Sequence, residues 1–307
     1  MPSDRRTVVA SVGLALAGVA GCTDRNGSDT PPSDRATPTS TASGSPADRT
    51  LGDTVTLDGT TVTVAELAAA HSYHYRSAPD AFGVESAGDG QFVFVGVTAR
   101  GDDTPPVRQF ALELDGERVV PSERTRGPVR DLAPVRQGRY TADDPEGYLL
   151  FPVPAPLDAE SVAVLLGEGP RVTDSRTEAT DVRARWTIPD ATLDPLRSPP
   201  PAFTVAYDVP DAVGRDEPVP LRLDVTNEGD GAGVFRGALN HTGPMYGGDT
   251  FSVALDPGAS TAYEESIDYH VGEHFSVDRL QFEVVVPGDS RSFTVALEGS
   301  STATGTP

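Results

Sequence analysis

From Thr54 onward the chain repeatedly alternates apolar and polar residues with a period of two. That spacing places one set of side chains on each face of an extended strand, one face dry and one wet. In the C-terminal part, Phe203, Val205, Tyr207 and Val209 alternate with Thr204, Ala206 and Asp208, and Leu221, Leu223 and Val225 with Arg222, Asp224 and Thr226. The same period recurs at Phe251, Val253 and Leu255; at Ile267, Tyr269 and Val271; at Leu280, Phe282, Val284 and Val286; and at Phe293, Val295 and Leu297. A further strand is predicted from Val234 to Leu239, and Gly- and Asp-rich turns such as Asn227-Glu228-Gly229-Asp230-Gly231 separate the runs. About seven strands in roughly a hundred residues match an antiparallel sandwich whose two amphipathic sheets bury each other.

The N-terminal part reads more coarsely. Thr54 to Leu57, an Asp58-Gly59 turn and Thr61 to Val64 form a hairpin pattern. Gln91 to Ala99, "QFVFVGVTA", is apolar on both faces and predicts a central strand. Phe110, Leu112 and Leu114 alternate before Gly116, and Tyr148 to Val153, Ser161 to Leu166 and Val182 to Ile188 predict further strands. Between them 123–147 is long and irregular. Residues 65–76, "AELAAAHSYHYR", fit either a helical turn or a strand, and periodicity does not choose. The joint between the two bodies is "DPLRSPPPAF", Asp194 to Phe203, because Pro199-Pro200-Pro201 can enter neither a helix interior nor a central strand.

Composition adds location and excludes partners. Arg5 and Arg6 precede an uncharged run, Thr7 to Gly21, that at about 15 residues is too short to span a bilayer. The run ends Val19-Ala20-Gly21-Cys22, and Cys22 is the single cysteine, so no disulfide can form within the chain. Residues 23–50 hold no aliphatic side chain larger than Ala and no aromatic, so this segment cannot offset its ordering entropy and is expected to be a disordered tether. All 24 basic residues are Arg, against 46 Asp and Glu, for a net charge of -22. With that balance no basic patch survives, and nucleic acid is excluded as a partner. Runs such as Asp102-Asp103, Asp143-Asp144 and Glu264-Glu265 are read as solvated surface.

Several stretches resemble known families. Val-Ala-Gly-Cys is similar to the lipobox of secreted lipoproteins, and Ser3-Asp4-Arg5-Arg6-Thr7-Val8-Val9 to a twin-arginine export signal. These resemblances imply that Arg5 and Arg6 direct export and that Cys22 becomes a lipidated N-terminus on the extracellular face of the cell membrane. The acidic, lysine-free composition resembles that of proteins from extremely halophilic archaea. Pro218 to Asn240, "PVPLRLDVTNEGDGAGVFRGALN", resembles adhesion-like immunoglobulin modules of prokaryotic surface proteins. "GDTVTLDGTTVTV", "GQFVFVGVTARG", "FALELDGERVVPS" and "GYLLFPVPAP" follow the order of a secreted immunoglobulin-like lipoprotein domain. Arg100-Gly101 stands where that pattern usually has an Asn. The fold class expected is therefore all-β. A signal peptide (1–21) and a tether (22–50) precede two immunoglobulin-like antiparallel sandwiches in tandem, 51–194 with a long insertion and 200–299.

The chemistry offered by single residues is sparse. Gly-x-Ser-x-Gly, His-Glu-x-x-His, a Gly-rich phosphate loop and a Cys-His pair are all missing, and no catalytic residue is assigned. The function expected is a non-catalytic binding or structural module of the cell envelope, without cofactor, whose partners are the membrane and an envelope protein or surface glycan. The alternative is extracellular copper or zinc binding through the pairs His71/His74 and His270/His274. Asn26 and Asn240 lie in N-x-Ser/Thr sequons and are candidate glycosylation acceptors. His71-Ser72-Tyr73-His74-Tyr75 is either an exposed aromatic ligand face or a segment that packs its tyrosines inward.

Overall fold

The structure is a computed structural model and describes residues 47–123, 138–167, 182–215, 217–269 and 277–299. Arg5, Arg6, Cys22, Asn26, His270 and His274 lie outside the described residues. Every described residue belongs to one compact unit, Ser40–Pro307. The expected all-β class is what that unit shows: two β-sandwiches, each with its own hydrophobic core.

The first sandwich opens with β1 (Ala47–Thr50), β2 (Thr54–Leu57), β3 (Thr60–Ala70), β4 (Ser72–Ala78), β5 (Ala81–Ser86) and β6 (Gly90–Arg100). It continues with β7 (Phe110–Leu114), β8 (Glu117–Val119), β9 (Glu146–Pro154), β10 (Val162–Gly167), β11 (Val182–Thr187) and helix α1 (Asp190–Arg197). One sheet has the order β2-β3-β6-β9 and the other β1-β11-β10-β7-β8. Their inner faces share a core built on Val93, Val95, Phe110, Phe151, Val164 and Trp186. Trp186, the only tryptophan, is fully buried, and its indole N–H donates to Asp53 O at 2.9 Å.

Three features depart from the sequence reading. The stretch 47–50, expected as tether, is strand β1, paired in parallel with β11 from Ala47↔Ala184 to Thr50↔Thr187. Its ADRT sequence has no apolar face, so only backbone pairing with a neighbouring strand makes it a strand. The ambiguous 65–76 stretch is extended: β3 runs on to Ala70, and β4 follows after His71. The expected joint begins with α1, whose Leu193 and Leu196 are buried in the first core. Gln91 anchors the end of that helix, donating from Nε2 to Leu196 O at 2.8 Å and to Pro154 O at 2.9 Å. The first body therefore extends to Arg197.

The second sandwich packs β12 (Phe203–Asp208), β14 (Val219–Asn227) and β17 (Ser260–Ile267) against a five-stranded sheet. That sheet holds β13 (Ala212–Gly214), β15 (Gly233–Gly243), β16 (Tyr246–Leu255), β18 (Arg279–Val286) and β19 (Asp289–Glu298), in the order β13-β19-β18-β15-β16. The alternation read from sequence is the alternation of burial: Val219, Leu221, Leu223 and Val225 are buried while Pro220, Arg222 and Asp224 are exposed. Of the strand expected at Ile267, Tyr269 and Val271, Ile267 ends β17 (Ser260–Ile267), and Val271 lies outside the described residues. The polar sequence of β17 is held by Tyr263, which stacks on Phe251 with ring centroids 4.0 Å apart. Tyr269 lies past the strand end, where its hydroxyl donates to Arg215 O at 2.6 Å.

Asn227 explains the stretch Val225-Thr226-Asn227-Glu228-Gly229-Asp230 within the Pro218 to Asn240 segment. It is fully buried at the end of β14. Its Oδ1 accepts from the backbone N–H of Ala202 and of Gly229, both at 3.1 Å. Its Nδ2 donates to Gly231 O at 2.8 Å and Leu255 O at 3.2 Å. One amide thus ties the linker, the β14–β15 turn and the end of β16 together, and no apolar residue could satisfy those groups. The turn is glycine-rich because the linker lies on it: a Cβ on Gly231 would fall 1.6 Å from Pro199 O.

Candidate functional site

The residues singled out around His71 converge on one element, the β4–β5 hairpin, whose two faces meet two different sandwiches. Strand geometry sends Tyr73 to one side and His74 to the other. Tyr73, 2% exposed, packs edge-on against Phe92 and Phe94 with centroids 5.1 and 5.5 Å away, on the outer face of the β2-β3-β6-β9 sheet. This accounts for the doubly apolar "QFVFVGVTA": Val93, Val95 and Val97 fill the sandwich core, while Phe92 and Phe94 form a second cluster under the hairpin with Tyr148 and Leu150. Of the two readings of His71-Ser72-Tyr73-His74-Tyr75, packing of Tyr73 inward is the one observed.

On the opposite face, His74 is fully buried, and its Nε2–H donates to Gly237 O of β15 at 3.0 Å. Its register partner Val84 and the next residue on that side, Phe82, pack with Ala238 of β15 and Val285 of β18. Asn240 completes the contact. Its Oδ1 accepts from Phe82 N–H at 2.9 Å and its Nδ2 donates to Phe82 O at 2.8 Å, so one side chain imitates a strand neighbour for Phe82. Asn240 is 4% exposed. The nitrogen that a glycan would have to join is therefore enclosed and bonded, and a glycan there is incompatible with the docked hairpin.

His71 lies at the base of the hairpin, half-buried, with its Nδ1–H donating to Gly90 O at 3.1 Å. Burial holds its pKa below the ordinary histidine value; the Gly90 carbonyl opposes that shift, and Arg236 adds to it. His241, further along β15, is also held low by burial, with Asp249 opposing. His71 and His74 each direct a ring N–H at a backbone carbonyl. Among the described residues no group of three or more His, Cys, Asp or Glu side chains is placed to hold a metal ion.

Two further surface features lie elsewhere. A cleft of about 240 Å³ is bordered by Thr60, Asp103, Gln109 and Arg183. The Arg183 guanidinium there is matched by Asp58 at 2.5 Å. At the β15–β16 tip Tyr246 is 73% exposed and Met245 43%, the two most exposed large apolar side chains among the described residues. Asp143 and Asp144 are exposed, as expected of solvated carboxylates, as are Glu264 and Glu265; Glu264 pairs with Arg222 at 2.5 Å.

Sequence reasoning did not find the roles of Phe82, Val84, Ala238 and Asn240. The alternation in "AFGVES" was available as a signal for β5. Nothing local, however, indicates that its apolar side faces a strand more than 150 residues away. Comparison with protein-family models finds no family that matches the chain, and comparison with curated proteins finds no match.

Proposed function

We propose that the chain is an extracellular lipoprotein, exported through the signal that begins at Arg5-Arg6 and held on the outer face of the cell membrane by acyl chains on Cys22. Its two sandwiches then form a non-catalytic binding or structural module of the envelope, facing an envelope protein or surface glycan. The order of features along the chain carries this reading: paired Arg, an uncharged run, Val19-Ala20-Gly21-Cys22, and then a polar spacer before the first strand. Two acyl chains anchor firmly where one is marginal, since each buried methylene contributes about 0.8 kcal/mol.

An immunoglobulin-like character for both sandwiches belongs to the same proposal. It is supported in the second by the division of eight strands into three and five and by the buried Asn227 that ends β14. The acidic surface supports a halophilic setting. The test is expression of the full chain and of Cys22→Ser in a haloarchaeal host. Wild type should stay with washed membranes, and its N-terminal peptide should carry a lipid adduct on Cys22 by mass spectrometry. Cys22→Ser should lose the adduct and leave the membrane or accumulate as precursor. A wild-type chain in the soluble fraction with a free thiol at Cys22 overturns the proposal.

A further inference from the structure

We infer that the β4–β5 hairpin is a strap that makes the two sandwiches one thermodynamic unit, with Asn240 as its latch. Two bodies that carry separate cores and are joined by a proline-rich linker would ordinarily move and unfold independently. Here a hairpin inserted between β3 and β6 of the first sandwich has side chains committed to both bodies. Tyr73 belongs to the first, on Phe92 and Phe94. Phe82, Val84 and His74 belong to the second, against Ala238, Val285 and Gly237 O.

The chemistry of the seam makes separation unfavourable at several points together. Undocking exposes the Phe82/Val84/Ala238/Val285 cluster to water. It also removes both Asn240 bonds to the Phe82 backbone and the His74 bond to Gly237. Ala238 and Asn240 point away from the core of their own sandwich, whose β15 contribution is Phe235 and Leu239. On that face the strap covers them, through Phe82 and Val84. A free second sandwich would present both to solvent, so Asn240→Ala and Ala238→Glu should leave it folded while releasing the hairpin.

Trp186 reports the first sandwich alone, because it is the only tryptophan and lies in the first core. In the full chain, Val295→Ala, which removes volume from the second core, should lower the unfolding midpoint read by Trp186 fluorescence. That shift should be at least half of the shift read in the second sandwich by hydrogen–deuterium exchange of β18. With Asn240→Ala or Ala238→Glu added, the Trp186 shift should vanish while the β18 shift persists, and exchange over Phe82–Val84 should rise about tenfold or more. The inference is overturned if Val295→Ala leaves the Trp186 midpoint unmoved in the otherwise native chain. It is equally overturned if the shift survives undiminished in both released variants. Two chemically different releases, one deleting hydrogen bonds and one adding a charge, keep the test valid if either variant fails to fold.

Discussion

At the scale of single residues, polar side chains do their work here by substituting for backbone. Asn227 and Asn240 each satisfy buried main-chain groups that no strand reaches. His71 adds a titratable version of the same device. Its pKa in the fold lies below the ordinary value of about 6.5, so the folded state favours the neutral ring. The stabilisation is fully present above about pH 6.5 and is lost as the pH falls from there through the folded-state pKa. Thermal midpoints measured from pH 7.5 to 5 at constant high salt should therefore decline. His71→Asn, which keeps a donor for Gly90 O, should reduce that decline without abolishing it, since His241 is shifted in the same direction by its own burial. A variant whose decline matches wild type would show that His71 contributes nothing.

At the scale of elements, two hairpins rest on the same two-residue turn. Asp58-Gly59 joins β2 to β3 with φ of 49° and 84°, and Asp115-Gly116 joins β7 to β8 with φ of 48° and 88°. Positive φ at both central positions gives the turn whose twist matches the strands it connects. A Cβ at Gly59 or Gly116 would meet nothing within 4 Å, so substitution there measures backbone conformation without a steric term. Gly59→Ala and Gly116→Ala should each cost about 1 kcal/mol in urea unfolding with an unchanged m-value. The Asp115 turn carries a further constraint: its carboxylate accepts from Ser161 N–H at 2.8 Å and Glu160 N–H at 3.1 Å, tying the turn to the start of β10. The Asp58-Gly59 turn was legible from sequence because Asp-Gly between alternating runs is a local signal, whereas at Asp115-Gly116 only the run before the turn was read. Strands β1 and β8 were not legible, because their partners and not their side-chain pattern make them strands.

At the scale of the whole molecule, charge sets the conditions under which the fold is stable. A net charge of -22 with arginine as the only cation leaves many carboxylates without a partner. Those that are paired meet planar guanidinium groups, as in Arg185–Glu113 at 2.5 Å. Self-repulsion of the remaining carboxylates opposes compaction, and salt screens it over a Debye length of about 10 Å at 0.1 M and about 3 Å at 1 M. The urea midpoint should thus rise between 0.1 and 1 M NaCl, and both sandwiches should respond together if the strap holds. A midpoint independent of salt would show that the acidic surface has no energetic role.

Local order along the chain determined which stretches alternate, where the Asp-Gly turns fall, that the class is all-β, and that an uncharged run ends at Cys22 ahead of a polar stretch. Those properties depend on neighbours in sequence: the period-two pleat, the Asp-Gly turn, the uncharged run before Cys22. Only the tertiary structure decided that 47–50 is a strand, that α1 closes the first core, and that a histidine-bearing hairpin stands between two sandwiches. In each case the partner is distant in the chain: β11 for β1, Gln91 for α1, Asn240 for Phe82. Periodicity records that a residue has an apolar side, but burial against a particular surface is settled only when two distant segments fold into contact.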